Sequence, residues 1–155
     1  MTDTQTLPQI PVRLDFDAHA AVFARAMAHL DQAGLDHRLR ELARIRASQL
    51  NGCAYCIDMH TKDARAAGET EQRLYALPAW RETPFFTRRE RAALAFTEAV
   101  TRVADTHVPA ADYAEAAAVF TEAEMAALVS LIVTVNAWNA IGVATRTWAP
   151  GSYQP

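Results

Sequence analysis

Cysteine is almost missing from this chain of 155 residues: it occurs only at Cys53 and Cys56. Glycine and proline, five and seven residues, are scarce between the candidate elements, which favours helices. No stretch alternates apolar and polar residues as a half-buried strand would. A formal charge of −3 with no basic stripe excludes nucleic acid as a partner. The N-terminal Met1-Thr2-Asp3-Thr4 has no basic region leading into an apolar one, so no secretory leader is visible and a cytoplasmic location is expected. In that setting two cysteines point to reactivity, because a single bridge of such short span closes too small a loop to stabilise much.

What the chain does have is apolar mass, with 51% of its residues hydrophobic, enough for the core of one domain. Charge is absent from Met125 to Thr145, a run long enough to span a bilayer. Yet Ser130, Thr134, Asn136 and Asn139 lie within it, and amides at a bilayer centre are costly without partners. We expect no membrane span, but a helix buried on most sides by the core and by another subunit.

Residues 1–14, with Pro8 and Pro11, form an expected N-terminal arm; 15–148 form the helical domain and 149–155 a C-terminal tail. Within the domain, apolar spacing predicts a helix from Asp17 to about Ala33, closed by Gly34. Asp36 caps a second helix that Asn51-Gly52 ends, and the cysteine pair opens a third ending at Gly68. A short helix follows near Glu71–Leu77. Thr87-Arg88-Arg89-Glu90 carries the capping-box pattern for a helix to about Ala104, and Pro109 opens one ending near Phe120. Thr121-Glu122-Ala123-Glu124 repeats the box before a long helix to about Trp148. The expected fold is all-α, a single-domain bundle of about six or seven helices.

The two thiols can form a disulfide within one helical turn. Cys53 falls at the start of its helix, where unpaired N–H groups and the dipole favour a thiolate. A free thiol is only about 3% ionised at pH 7, so such help matters. His60 follows Cys56 by four residues and shares its helix face. Glu41, on the preceding helix, either folds back to orient His60 or belongs to a plain solvated face; spacing alone leaves both open. Zinc would need a fourth ligand beyond Cys53, Cys56 and His60, and only improvised ones (His37, Asp58, Glu41) are present. Covalent haem needs histidine directly after Cys56, and Ile57 stands there. Neither a metal nor a bound cofactor is expected.

Other residues have blander readings. His19, His29, His37 and His107 sit in polar or helix-end contexts and are expected at the surface. Phe23, Phe96, Phe120, Trp138 and Trp148 suit a core or an interface. Trp80, Phe85 and Phe86, in a proline-bounded loop, are candidates to wall the thiol site, and Tyr55 either packs over the sulfurs or faces solvent.

Taken together, Glu41, eleven residues, Cys53-Ala54-Tyr55-Cys56, three residues and His60 match at every interval the redox signature of the alkylhydroperoxidase D branch of the carboxymuconolactone decarboxylase superfamily. The stretches Arg46–Cys56, Glu82–Thr87, Arg89–Ala95 and Asn136-Ala137-Trp138-Asn139 resemble its smaller peroxidase-related members, so the likeness covers residues 15–145. The resemblance implies an all-helical fold, self-association into dimers, trimers or hexamers, and reduction of organic hydroperoxides or hydrogen peroxide. Catalytic roles follow for Cys53, Cys56, His60 and Glu41, with an external dithiol, lipoyl-bearing in the best-known member, as reductant. Two positions depart from the family pattern: Tyr55 where some members carry histidine, and Ala140 where related chains have arginine. Adjacency to His60 favours Cys56 as the peroxide-reactive thiol, with Cys53 resolving; the helix-terminus argument favours Cys53 as the more exposed thiolate. The rival functions are a general thiol–disulfide oxidoreductase, a redox sensor without turnover, and lactone decarboxylation, which has no use for a redox pair.

Overall fold

A computed structural model describes residues 10–29 and 34–155. Among the described residues there is no strand. Nine α-helices occur there: α1 Phe16–His19, α2 Ala21–His29, α3 His37–Asn51, α4 Ala54–Ala66, α5 Glu71–Ala76, α6 Arg88–Thr101, α7 Val103–Thr106, α8 Ala110–Ala117 and α9 Glu122–Thr145. A six-residue 3-10 turn, Leu77–Glu82, links α5 to the loop before α6. The all-α expectation holds, and the helix count exceeds six or seven because two expected helices are each divided. Ala20 leaves helical dihedrals between α1 and α2. Arg102 does so between α6 and α7, where the Thr106 hydroxyl takes up the Ala99 carbonyl at 2.6 Å. The expected closure of the first helix at Ala33 lies outside the described residues.

Helix starts follow local chemistry. The side chains of Asp36, Thr87 and Thr121 each accept a backbone N–H of the first turn, and both expected capping boxes are closed. α3 is the central element, packed against α4, α6 and α9. Its two faces feed two clusters. Leu39 and Ala43 join Phe96, Phe120, Leu128 and Ile132 under α6, α8 and α9. Leu42 and Ile45 join Leu77, Trp80, Phe86 and Leu94 under α4 and α6. Burying each large aliphatic side chain contributes roughly 1.5–3 kcal/mol, well above any propensity difference along these helices.

Helix α9, uncharged from Met125 onward, departs from expectation in its burial. Only about a third of its most apolar window is covered by the rest of the chain, although it is long and apolar enough to cross a membrane. Its amides explain how it sits in the bundle. Asn51 Nδ2 donates to Asn136 Oδ1 at 2.8 Å and to Asn139 Oδ1 at 2.9 Å. Asn139 Nδ2 donates to Ser48 Oγ, and Asn136 Nδ2 to Thr101 Oγ1, both at 3.0 Å. This polar clamp ties α9 to the end of α3, the place where the cysteines begin.

Residues 146–155 do not continue α9. Arg146 turns left-handed at φ 55°, and the backbone N–H groups of Arg13 and Leu14 donate to the Thr145 carbonyl at 2.7 and 3.1 Å. The chain then crosses back over α4. Gly151 N–H donates to Asp58 Oδ2 at 3.0 Å, Lys62 Nζ to the Tyr153 carbonyl at 2.9 Å, and Tyr153 OH to Asp63 Oδ1 at 2.7 Å.

Candidate active site

Gly52 ends α3 at φ 68°, a conformation that costs a side-chain-bearing residue about 1–2 kcal/mol. The next N–H, of Cys53, reaches back to the Ser48 carbonyl at 3.1 Å. That reversal makes Cys53 the N-cap of α4, and its Sγ accepts the Cys56 N–H at 3.3 Å. A disulfide joins Cys53 to Cys56, and both residues are 2% exposed. The expectation that Cys53 is the more exposed thiol is therefore not met. On reduction, a sulfur at this cap faces the positive end of α4, which favours the thiolate.

One turn on, His60 Nδ1 lies 3.0 Å from Glu41 Oε2. Arg44 Nη1 donates to the other carboxylate oxygen, Oε1. Glu41 is 1% exposed, so the solvated-face alternative is overturned. Burial alone would raise its pKa. The hydrogen bond from His60 and the charge of Arg44 outweigh that and hold the carboxyl below its usual range. An ionised Glu41 can only accept, so Nδ1 of His60 is the nitrogen that donates to it, and Nε2 is not engaged in that bond.

Cys56 and His60 line a half-open cavity of about 240 Å³, together with Arg44, Tyr55, Met59, Thr134, Val135, Trp138 and Trp148. Tyr55 and Trp148 lie with ring centroids 5.7 Å apart, and Trp138 meets Trp148 edge to face at the same separation. Tyr55 thus packs in the pocket wall. The expected wall of Trp80, Phe85 and Phe86 is a correction. Trp80 and Phe86 are core residues, the Trp80 indole N–H going to Glu98 at 2.9 Å, and Phe85 is exposed. Trp138 and Trp148, expected in a core or interface, take that place. Gly142 lets α9 approach, since a Cβ there would stand 3.2 Å from Cys53 Sγ and 3.5 Å from the Trp148 ring.

His19, His37 and His107 are exposed, as expected, and His29 has no described side chain. Three groups have the types and spacing to hold a cation: oxygen or nitrogen atoms of Glu41, His60 and Asp63 lie within 4.8 Å of one another. They are already committed internally, Glu41 to Arg44 and His60, and Asp63 to Tyr153, whose hydroxyl is pushed up to about 12 by that bond. Sequence reasoning missed Arg44 and Trp148. Arg44 had a local signature, a cation three residues after Glu41 on one helix. Trp148 had none, because it arrives from the far end of the chain.

The model of the family described as Carboxymuconolactone decarboxylase matches residues 17–99, from α1 through most of α6. The chain belongs to the carboxymuconolactone decarboxylase family. Within it, an uncharacterised Bacillus subtilis protein, YdfG, is 45% identical over 113 residues, which is 73% of this chain and 77% of that protein. A structure from Agrobacterium tumefaciens, a protein of unknown function provisionally grouped with the antioxidant defence protein AhpD, superposes with a TM-score of 0.86 at 35% identity, covering 90% of this chain and 99% of the other. The fold is therefore AhpD-like. The debrominase Bmp8 shares that fold at a TM-score of 0.73 and 18% identity, covering 86% of this chain and 74% of its own, so the scaffold hosts more than one chemistry.

Proposed function

We propose that this family member is a thiol-dependent hydroperoxide reductase. The observation that carries the proposal is the pairing of Cys56 with His60 on one pocket wall, His60 being held from behind by buried Glu41. In the reduced protein the Cys56 thiolate attacks the terminal peroxide oxygen. An S–O bond forms, the O–O bond breaks, and the leaving alkoxide takes a proton delivered through His60. Cys53 then attacks the sulfenic sulfur, the S–S bond forms and water leaves. Two electrons from an external dithiol, of lipoyl type in our reading, restore both thiols by exchange. No bound cofactor is needed, and the cycle suits a reducing cytoplasm.

Self-association belongs to the same proposal, with a second copy seated on α9. Positions 126, 130, 133, 137, 140 and 144 recur along that helix at intervals of four and three, the spacing of a helix–helix seam. Of these, Ala126, Ser130, Val133, Ala140 and Ala144 are exposed, and none carries charge. The decisive assay follows cumene hydroperoxide consumption with dihydrolipoamide in the wild type, Cys53→Ser and Cys56→Ser. Turnover abolished by both substitutions is expected. A wild type that shows no turnover, while its disulfide still forms and is reduced, would leave a disulfide exchanger or sensor instead.

A further inference from the structure

The segment after α9 places an aromatic ring in the cavity that Cys56 lines. Trp148 lies in the segment after α9, not in the helical bundle, yet it forms the wall shared by Tyr55 and Trp138 beside Cys56. Its indole N–H donates to Asp17 Oδ2 at 2.8 Å, which fixes the ring from α1. Downstream, Gly151 and Tyr153 pin the same segment to Asp58, Lys62 and Asp63 of α4. The ring is thus held from both sides, and the edge of its six-membered ring lies close to Gly142, next to Cys53 Sγ.

Resting on the hydroperoxide reading above, we infer that Trp148 is the specificity-determining wall of the thiol pocket. It stacks on the flat apolar body of an organic hydroperoxide and so aims the peroxide at Cys56. A cavity of about 240 Å³ is far larger than hydrogen peroxide needs, whereas a single aromatic ring with a peroxide arm occupies it well. Hydrogen peroxide makes no such contact. Trp148 therefore discriminates between peroxides without taking part in the bond changes at sulfur.

The test uses fully reduced protein and single-turnover oxidation, one peroxide per dithiol, with cumene hydroperoxide and hydrogen peroxide in parallel. For Trp148→Ala the rate constant with cumene hydroperoxide is expected to fall at least tenfold through weaker saturation, while that with hydrogen peroxide stays within about twofold. Trp148→Phe should restore most of the loss. Asp17→Ala, which keeps the ring but frees it, should lose selectivity in the same direction by less. Equal losses for both peroxides, or an unchanged ratio in Trp148→Ala and Asp17→Ala, would overturn the assignment while the hydroperoxide reading stood. A wild type that neither peroxide oxidises faster than a free thiol would overturn both.

Discussion

At the scale of single residues, Glu41 bridges two side chains, Arg44 on its own helix and His60 on the next. It accepts from Arg44 through one oxygen and from His60 through the other, with 1% of its surface exposed. Removing one partner of a buried ion pair strands the other charge, at a cost of roughly 3–5 kcal/mol. Glu41→Ala should show that loss in urea denaturation, and Glu41→Gln a smaller one. In Glu41→Gln the oxidation rate of the reduced thiols should fall by about a hundredfold, since His60 loses the carboxylate that sets its tautomer. Folding lowers the Glu41 pKa, so near pH 4 the folded state binds fewer protons than the unfolded chain. The stability Glu41 contributes is full above the ordinary glutamate value of about 4.3 and is lost as pH falls through the lower folded value. Denaturation curves recorded from pH 7 downward should therefore lose less stability in Glu41→Gln than in wild type over that acid range. The thiols and His60 were legible in the sequence because one helix and one glycine turn set their spacing, whereas Glu41 stood out only through the family signature. The burial of Glu41 was not legible, because the mixed charges around it suit a solvated face equally well.

At the scale of helices, capped starts were legible, and an end was legible where a glycine marks it, as at Gly52. A start depends on one side chain and a backbone N–H three residues on, as at Asp36, Thr87 and Thr121. An end depends on what captures the last carbonyls. α9 stops at Thr145, short of Trp148, because the N–H groups of Arg13 and Leu14, remote in sequence, bind the Thr145 carbonyl. Gly142 within α9 tests a competition between propensity and space. Alanine there gains about 1 kcal/mol of helix propensity, but its methyl would press on a sulfur held by the disulfide. We expect Gly142→Ala to destabilise the oxidised protein by about 1 kcal/mol net. In a Cys53→Ala background the same change should stabilise by up to about 1 kcal/mol. Thermal unfolding of the four proteins measures both, and a Gly142→Ala effect that does not depend on Cys53 would show the sulfur contact to be immaterial.

At the scale of the whole molecule, α9 divides its labour. Its inner face is clamped to α3 and α6 through Asn136 and Asn139, and its outer face leaves Val129, Val133 and Val143 between 38% and 56% exposed. A charge placed in that face would have to be desolvated on association. Val133→Glu should therefore shift sedimentation toward the monomer with an unchanged far-UV spectrum; a wild type already monomeric at micromolar concentration would remove the case for a second copy. The missing charge was plain in the sequence, but which side of α9 the chain itself covers became visible only once the bundle was assembled. The same geometry has an optical consequence. Of the three tryptophans, Trp138 and Trp148 border the disulfide pocket, and Trp80 is shut in the other core cluster. A disulfide quenches nearby indole emission more strongly than a pair of thiols does. The protein thus carries its own redox gauge, and each half of the proposed cycle should be open to timing by unlabelled fluorescence in a stopped-flow cell.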